Sequence, residues 1–194
     1  LDVTESLSAS FIALTQRDFS SPGPNGGSPE YLRNSGMPEL DVHVEYNNKG
    51  LTAGAVAGYK ELLPRTTYLG NKVDKTLGSW QANAYLQLEK GPITAKAKGL
   101  YGQNMYNFLM LGGYADIMNL DGSISYTNVL TSSYWGELTY RSGLLSYSLF
   151  AGYTENLGLA DEPGNVSQVN YYIRGANIDN ALRVAPRVCV HKEM

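Results

Sequence analysis

The sequence predicts an all-β fold built as a meander of antiparallel strands, and three observations predict it. Apolar and polar residues alternate with period two over several long segments. The connections between these segments alternate between minimal turns and long Gly-, Pro-, Asn- and Asp-rich loops. The composition agrees: 21 Gly and 15 Tyr beside 4 Phe suit short strands and tight turns and exclude a helical bundle. Charged residues make up 17% of the 194 positions, against roughly 25% in an average domain, and Gly and polar uncharged residues fill the gap. A net charge of −3 gives no general basic surface, so no nucleic-acid partner is expected. The single Cys, Cys189, excludes a disulfide framework or a Cys-based zinc site. Leu1 does not open a charged-then-apolar leader, so no signal peptide is expected in this sequence. No run approaches the roughly 18 apolar residues of a membrane-spanning helix, a test that spanning strands escape because their hydrophobicity alternates.

Taken in order, a first strand sets Leu7, Ala9, Phe11 and Ala13 against Ser6, Ser8 and Ser10. A hairpin follows. Leu40, Val42, Val44 and Tyr46 oppose Asp41, His43 and Glu45, the chain turns at Asn47-Asn48-Lys49-Gly50, and Leu51 to Tyr59 returns with Ala53, Ala55 and Ala57 on the apolar side. The second hairpin runs from Trp80, Ala82, Ala84, Leu86 and Leu88 through Glu89-Lys90-Gly91-Pro92 to Ile93, Ala95, Ala97, Gly99 and Tyr101. Its return strand carries Lys96 and Lys98 on the other side, and two lysines two apart face water. The third has Tyr134, Gly136, Leu138 and Tyr140, a turn at Ser142-Gly143, then Leu145, Tyr147, Leu149, Ala151 and Tyr153. A last strand sets Leu182, Val184, Pro186 and Val188 against Arg183, Ala185 and Arg187. The count is about eight strands in a single domain, residues 1–194, with long loops at 15–37, 61–78, 103–132 and 155–178.

The apolar faces differ from those of a soluble core. Tyr59, Trp80, Tyr101 and Tyr153 each lie eight residues from the strand residue at the tight-turn end, Leu51, Leu88, Ile93 and Leu145 respectively, which is roughly 26 Å of strand, or roughly 20 Å along a barrel axis at a tilt of about 40°. Tyr134 continues that ring, and Tyr46 and Tyr140 sit beside the short turns, giving an aromatic girdle at each end. Between the girdles lie almost only Ala, Leu, Val, Ile and Gly. A soluble β-sandwich concentrates its large rings mid-strand, where burial is deepest, and small central residues would underfill its core. The pattern therefore predicts an antiparallel up-and-down transmembrane β-barrel, whose backbone groups all pair between strands.

Several runs then carry a resemblance. Tyr101-Gly102-Gln103-Asn104, Phe108 to Ala115, Trp135-Gly136-Glu137-Leu138, Phe150 to Gly158, and Arg174 to Asp179 leading into Arg183 to Val188 resemble porin-type outer-membrane barrels of Gram-negative bacteria. The similarity covers most of residues 38–190 and its motifs are structural. It implies a bacterial outer-membrane location, contact with outer-membrane lipid, passive diffusion of small hydrophilic solutes, a barrel of more than eight strands and a homotrimer. The chain departs from that pattern at its end, where Cys189-Val190-His191-Lys192-Glu193-Met194 lacks a closing aromatic. The expectation is a piece of a larger barrel, with a complete eight-stranded barrel as the alternative.

The candidate pore-lining residues are the charged side chains of the polar faces: Asp41, His43, Glu45, Lys60, Lys96, Lys98, Glu137, Arg141, Arg183 and Arg187. Such side chains set ion preference through their local field; the plain alternative is a solvated sheet face without selectivity. Lys96 and Lys98 with Arg183 and Arg187 favour anionic solutes. Loop 103–132, with Met105, Phe108, Met110 and Tyr114, is too apolar for a freely solvated loop and is expected either to plug the lumen or to pack at the rim. No catalytic constellation is found: His43 and His191 have no nucleophile or acid at a recognisable spacing, and Gly112-Gly113 lacks a phosphate-binding pattern. His43 between Asp41 and Glu45 reads as charge alternation and not as a metal site, and no cofactor is expected. Two other readings stay open: a non-conducting structural or adhesive barrel, and a soluble β-sandwich that binds glycans.

Overall fold

The computed structural model describes residues 2–17 and 20–191, so Lys192–Met194 of the closing segment and two positions of the 15–37 loop lie outside the described residues. Strands hold 67% of the chain and helices 5%, an all-β fold in which every pairing is antiparallel. In chain order the elements are β1 (Asp2–Thr4), β2 (Leu7–Leu14), α1 (Glu30–Ser35), β3 (Glu39–Asn48), β4 (Leu51–Leu62), β5 (Thr67–Tyr68), β6 (Asn71–Lys72), β7 (Leu77–Lys90), β8 (Ile93–Gln103), a 3-10 turn (Met105–Phe108), β9 (Gly112–Asn119), β10 (Ile124–Ser142), β11 (Leu145–Leu159), β12 (Val166–Arg174) and β13 (Asn180–Val190). The eight long strands β2, β3, β4, β7, β8, β10, β11 and β13 lie side by side in sequence order. Among the described residues β2 and β13 do not pair, so the expected closed barrel is not formed by these strands alone.

Three two-residue turns join long strands at one end of the sheet, where Glu5-Ser6 also joins β1 to β2. Lys49 and Gly50 both have positive φ (44° and 85°), the geometry of a hairpin turn whose twist matches that of its strands. Gly91-Pro92 and Gly143-Leu144 make the other two. The registers join the apolar alternation of each strand to that of the next: Val44, Ala55, Ala84 and Gly99 follow one another across β3, β4, β7 and β8, and Leu138, Leu149 and Pro186 across β10, β11 and β13.

This apolar face is the exposed one. Leu138 is 56% exposed, Leu149 54% and Leu182 71%, and Ala84 and Ala97 are exposed as well. On the other face Asp41, Lys60, Ser79 and Gln81 are buried. The hydrophobic core is small and lies at the loop end, on the polar side of the sheet. There Tyr31 and Leu32 of α1 pack with Leu62, Leu77 and Tyr114, and Tyr126 and Tyr172 close over them.

The long connections hold more structure than their composition suggested. The 15–37 segment contains α1, stopped by Gly36 in the left-handed conformation, and 61–78 contains the small β5–β6 hairpin. Segment 103–132 contains the 3-10 turn and β9, and β10 begins ten residues before Tyr134. In 155–178, β11 runs on to Leu159 and β12 pairs with β9, which in turn pairs with the first residues of β10. For β9 and the start of β10 the physical reason is burial. From Gly112 to Ile117 every residue is buried, and Thr127, Asn128 and Val129 are buried in succession, so these stretches have two covered faces and no alternation to read.

Candidate functional site: the polar face of the sheet

The strand registers place the predicted polar residues in rows that cross the sheet. One row runs Glu45, Gly54, Tyr85, Lys98, Trp135, Gly152 and Arg183 from β3 to β13. The next includes Gln87, Lys96, Glu137, Phe150 and Ala185. The face is therefore divided: acids gather on β3, and cations on β8 and β13.

On the acidic side the structure brings Asp41, His43 and Glu45 into contact with β7. Gln81 donates its amide to Asp41 at 3.2 Å and accepts from Asn83 at 3.2 Å. The Tyr85 hydroxyl donates to the Glu45 carboxylate, so the His43 Nε2–H is the donor in its 2.7 Å bond to the same hydroxyl. Tyr85 reaches both partners because its ring crosses Gly54, where a Cβ would stand 2.4 Å from the ring. Asp41, His43 and Glu45 of β3 are thus held by neutral side chains two strands away.

Lys60 has a different role from the solvated lumen charge expected. It is 3% exposed, its ammonium donates to the Asn104 carbonyl at 2.6 Å and to the Asn107 side chain, and the Asn107 amide donates to Glu39 at 3.1 Å. Lys60 therefore fastens the start of the 103–132 segment to the polar face. Asn104, fully buried with positive φ (49°), is further held by its own N–H on the Val129 carbonyl at 3.0 Å. Past the end of β4, Arg65 pairs with Asp116 of β9 at 2.6 Å, alongside the first residues of β10; Asp116 is fully buried and also accepts from Asn170 at 2.7 Å and from Tyr172 at 3.1 Å. Burial and then the Asp116 charge push the Tyr172 hydroxyl up to about 12, so it stays protonated and keeps donating.

On the basic side Lys96 lies opposite Glu137, and Arg187 reaches Glu137 at 3.5 Å. Lys98 lies opposite Trp135. Arg183 stands over the Phe150 ring at 5.9 Å. Arg141 is exposed beside the β10–β11 turn, away from the other cations. Lys96 and Lys98 are separated from Arg183 and Arg187 by two strands, so the four do not form one cluster. Sequence reasoning passed over two aromatic residues of this face, Trp135 and Phe150, whose ring centroids are 5.9 Å apart. The signal was available: both fall on the polar parity of their strands, where a large ring is unusual.

The girdle residues lie on the opposite, exposed face. Tyr59, Trp80, Tyr101, Tyr134 and Tyr153 are at the loop end, with Trp80 and Tyr101 at 5.5 Å between centroids and Tyr134 directly opposite Tyr153. Tyr46 and Tyr140 are near the turns, where Tyr147 joins them opposite Tyr140. Comparison with protein-family models, with curated proteins and with solved structures finds no match to this chain.

Proposed function

We propose that the eight long strands are wall strands of a transmembrane β-barrel in a bacterial outer membrane, a porin-type channel through which small hydrophilic solutes diffuse. One observation carries the reading: the faces are inverted relative to a water-soluble sheet. Phe11, Val42, Leu86, Leu138, Leu149 and Val184 are exposed while Asp41, Lys60 and Gln81 are buried. In water an apolar field of this extent is an aggregation surface; against hydrocarbon it is the solvated face. In the same setting unpaired edges are excluded, because lipid offers no hydrogen bonds. The edges of β2 and β13 are then completed by further strands, in a barrel larger than eight, with a homotrimer as the assembly the family resemblance implies.

Selectivity in this reading comes from pore width and from the divided charge of the wall, and it needs no cofactor. The test is single-channel conductance of the protein in a planar bilayer. A steady current proportional to voltage supports the channel; correctly inserted protein without current overturns it. The second outcome would favour a non-conducting structural or adhesive barrel, for which the buried contacts of Lys60, Met105 and Tyr114 at the loop end speak, since they place covered chain across part of the polar face. A protein that stays monomeric in water without detergent would instead favour the soluble glycan-binding sandwich.

A further inference from the structure

The polar wall carries a feature that simple diffusion does not require. Trp135 and Phe150 place two large rings on the water-facing parity of β10 and β11, both partly exposed, with centroids 5.9 Å apart and planes 31° from each other. They fit because residue 152 is Gly: a Cβ there would stand 2.9 Å from the Phe150 ring and 3.2 Å from Trp135. The row through this spot reads Lys98, Trp135, Gly152, Arg183, with Lys98 beside Trp135 and the Arg183 guanidinium on the other side, over the Phe150 ring at 5.9 Å from its centroid. At about 4.8 Å between strands, the backbones bearing the two cations are roughly 14 Å apart. The carboxylate in the neighbouring row, Glu137, has Arg187 at 3.5 Å and Lys96 opposite it. Among the described residues neither Lys98 nor Arg183 has a carboxylate within ion-pair distance.

We propose that Trp135 and Phe150, with Lys98 and Arg183 at their margins, form a binding platform for small carboxylates that carry a ring. The ring of such a solute lies on the aromatic pair, where contact releases water from apolar surface on both partners. Its carboxylate meets Lys98 or Arg183, the guanidinium offering a two-pronged hydrogen bond and the ammonium a point charge. A carboxylate without a ring finds the charge but not the platform, so the site separates organic anions by shape. This rests on the reading that the polar face lines a water-filled lumen, and it names the solute class that lumen favours.

The chain has two Trp residues, which makes the site optically addressable. Trp80 lies on the opposite, apolar face, so a Trp80→Phe variant leaves Trp135 as the only indole while sparing the platform. The full chain in lipid nanodiscs would be titrated with sodium benzoate, with cyclohexanecarboxylate, and with acetate at matched ionic strength. A saturable change in Trp135 emission with both ring acids, and none with acetate, is the expected result; a response to benzoate alone narrows the class to aromatic acids. Phe150→Leu should weaken the benzoate midpoint about tenfold, and Lys98→Gln and Arg183→Gln about threefold each. Gly152→Ala, which forces the Phe150 ring aside, should act as Phe150→Leu does, with circular dichroism confirming the fold of every variant. Equal responses to benzoate and acetate, or a midpoint indifferent to Phe150→Leu, overturn the platform and leave the rings as a cover for Gly152. Conductance on the same preparation separates the two claims. Current without ring preference removes only the platform, whereas saturable binding in a non-conducting protein supports the platform and removes the channel.

Discussion

Lys60 is a cation with 3% exposure, and its partners explain why burial is tolerated: two hydrogen bonds to Asn104 and Asn107 and the Glu39 carboxylate one amide away. Replacing it with Met keeps the stem and deletes the charge, leaving the Asn104 carbonyl unpaired and Glu39 without its counter-charge. Hydrogen bonds from a charged group contribute roughly 1.5–3 kcal/mol each, so Lys60→Met should lower stability by about 2–4 kcal/mol, read as a lower urea midpoint of refolded protein. Lys96 and Lys98 should behave differently, because both are partly exposed. Changing both to Glu should leave the stability within about 0.5 kcal/mol but, in the proposed channel, move the reversal potential towards cations. An unchanged potential would take them off the pore wall. At this scale the sequence was informative about which face a residue takes and uninformative about its partners. Nothing in the order of residues ties Lys60 to Asn104, forty-four positions away, or Tyr85 to Glu45; those contacts depend on the registers of intervening strands.

Among the elements, β10 shows both what alternation reveals and what it hides. From Tyr134 to Arg141 it has one exposed apolar face and one polar face, and its strand character was legible from that alone. From Ile124 to Val129 it is mostly covered on both sides, and the period disappears with the solvent contrast that creates it. The same loss hid β9. The β9–β12 ladder also depends on one close approach: Gly113 has φ 149°, and a Cβ there would lie 2.0 Å from the Tyr172 carbonyl oxygen. Gly113→Ala should therefore cost more than about 1 kcal/mol and unzip this ladder without disturbing the eight long strands. Hydrogen exchange would rise in 112–119 and 166–174 and stay slow in 80–101; a uniform rise over the whole sheet would contradict this separation. Glycines are read in sequence as turns, and Gly113 shows the other use, a place where two backbones meet.

For the whole molecule the decisive property is which face meets which medium. Ala95 lies between Leu88 and Leu138 on the exposed apolar face, and Thr94 lies between Glu89 and Thr139 on the polar one. Adjacent residues should then differ sharply as sites for a charge. In the proposed barrel Ala95→Arg should reduce folding stability in bilayers by about 1–3 kcal/mol, between the interfacial and the midplane cost of a cation because Ala95 lies two residues from the Ile93–Tyr140 pair at the turn end, while Thr94→Arg should cost about 1 kcal/mol or less. Folding titrations in lipid vesicles measure both, and equal penalties would mean that the two faces see the same surroundings. The all-β meander and the order of its long strands were legible because half of every strand contrasts with the other half. The lack of pairing between β2 and β13 was not, since a periodic pattern says that a strand has neighbours but not how many strands complete the ring. The two ends of the sheet are also unequal, with two-residue turns at one and α1, β9, β12 and the Arg65–Asp116 ion pair at the other. A bilayer admits the compact end at far lower desolvation cost. In the proposed barrel the turn end is then the leading edge on insertion and the loop end the trailing one, which sets the orientation the protein takes in the bilayer.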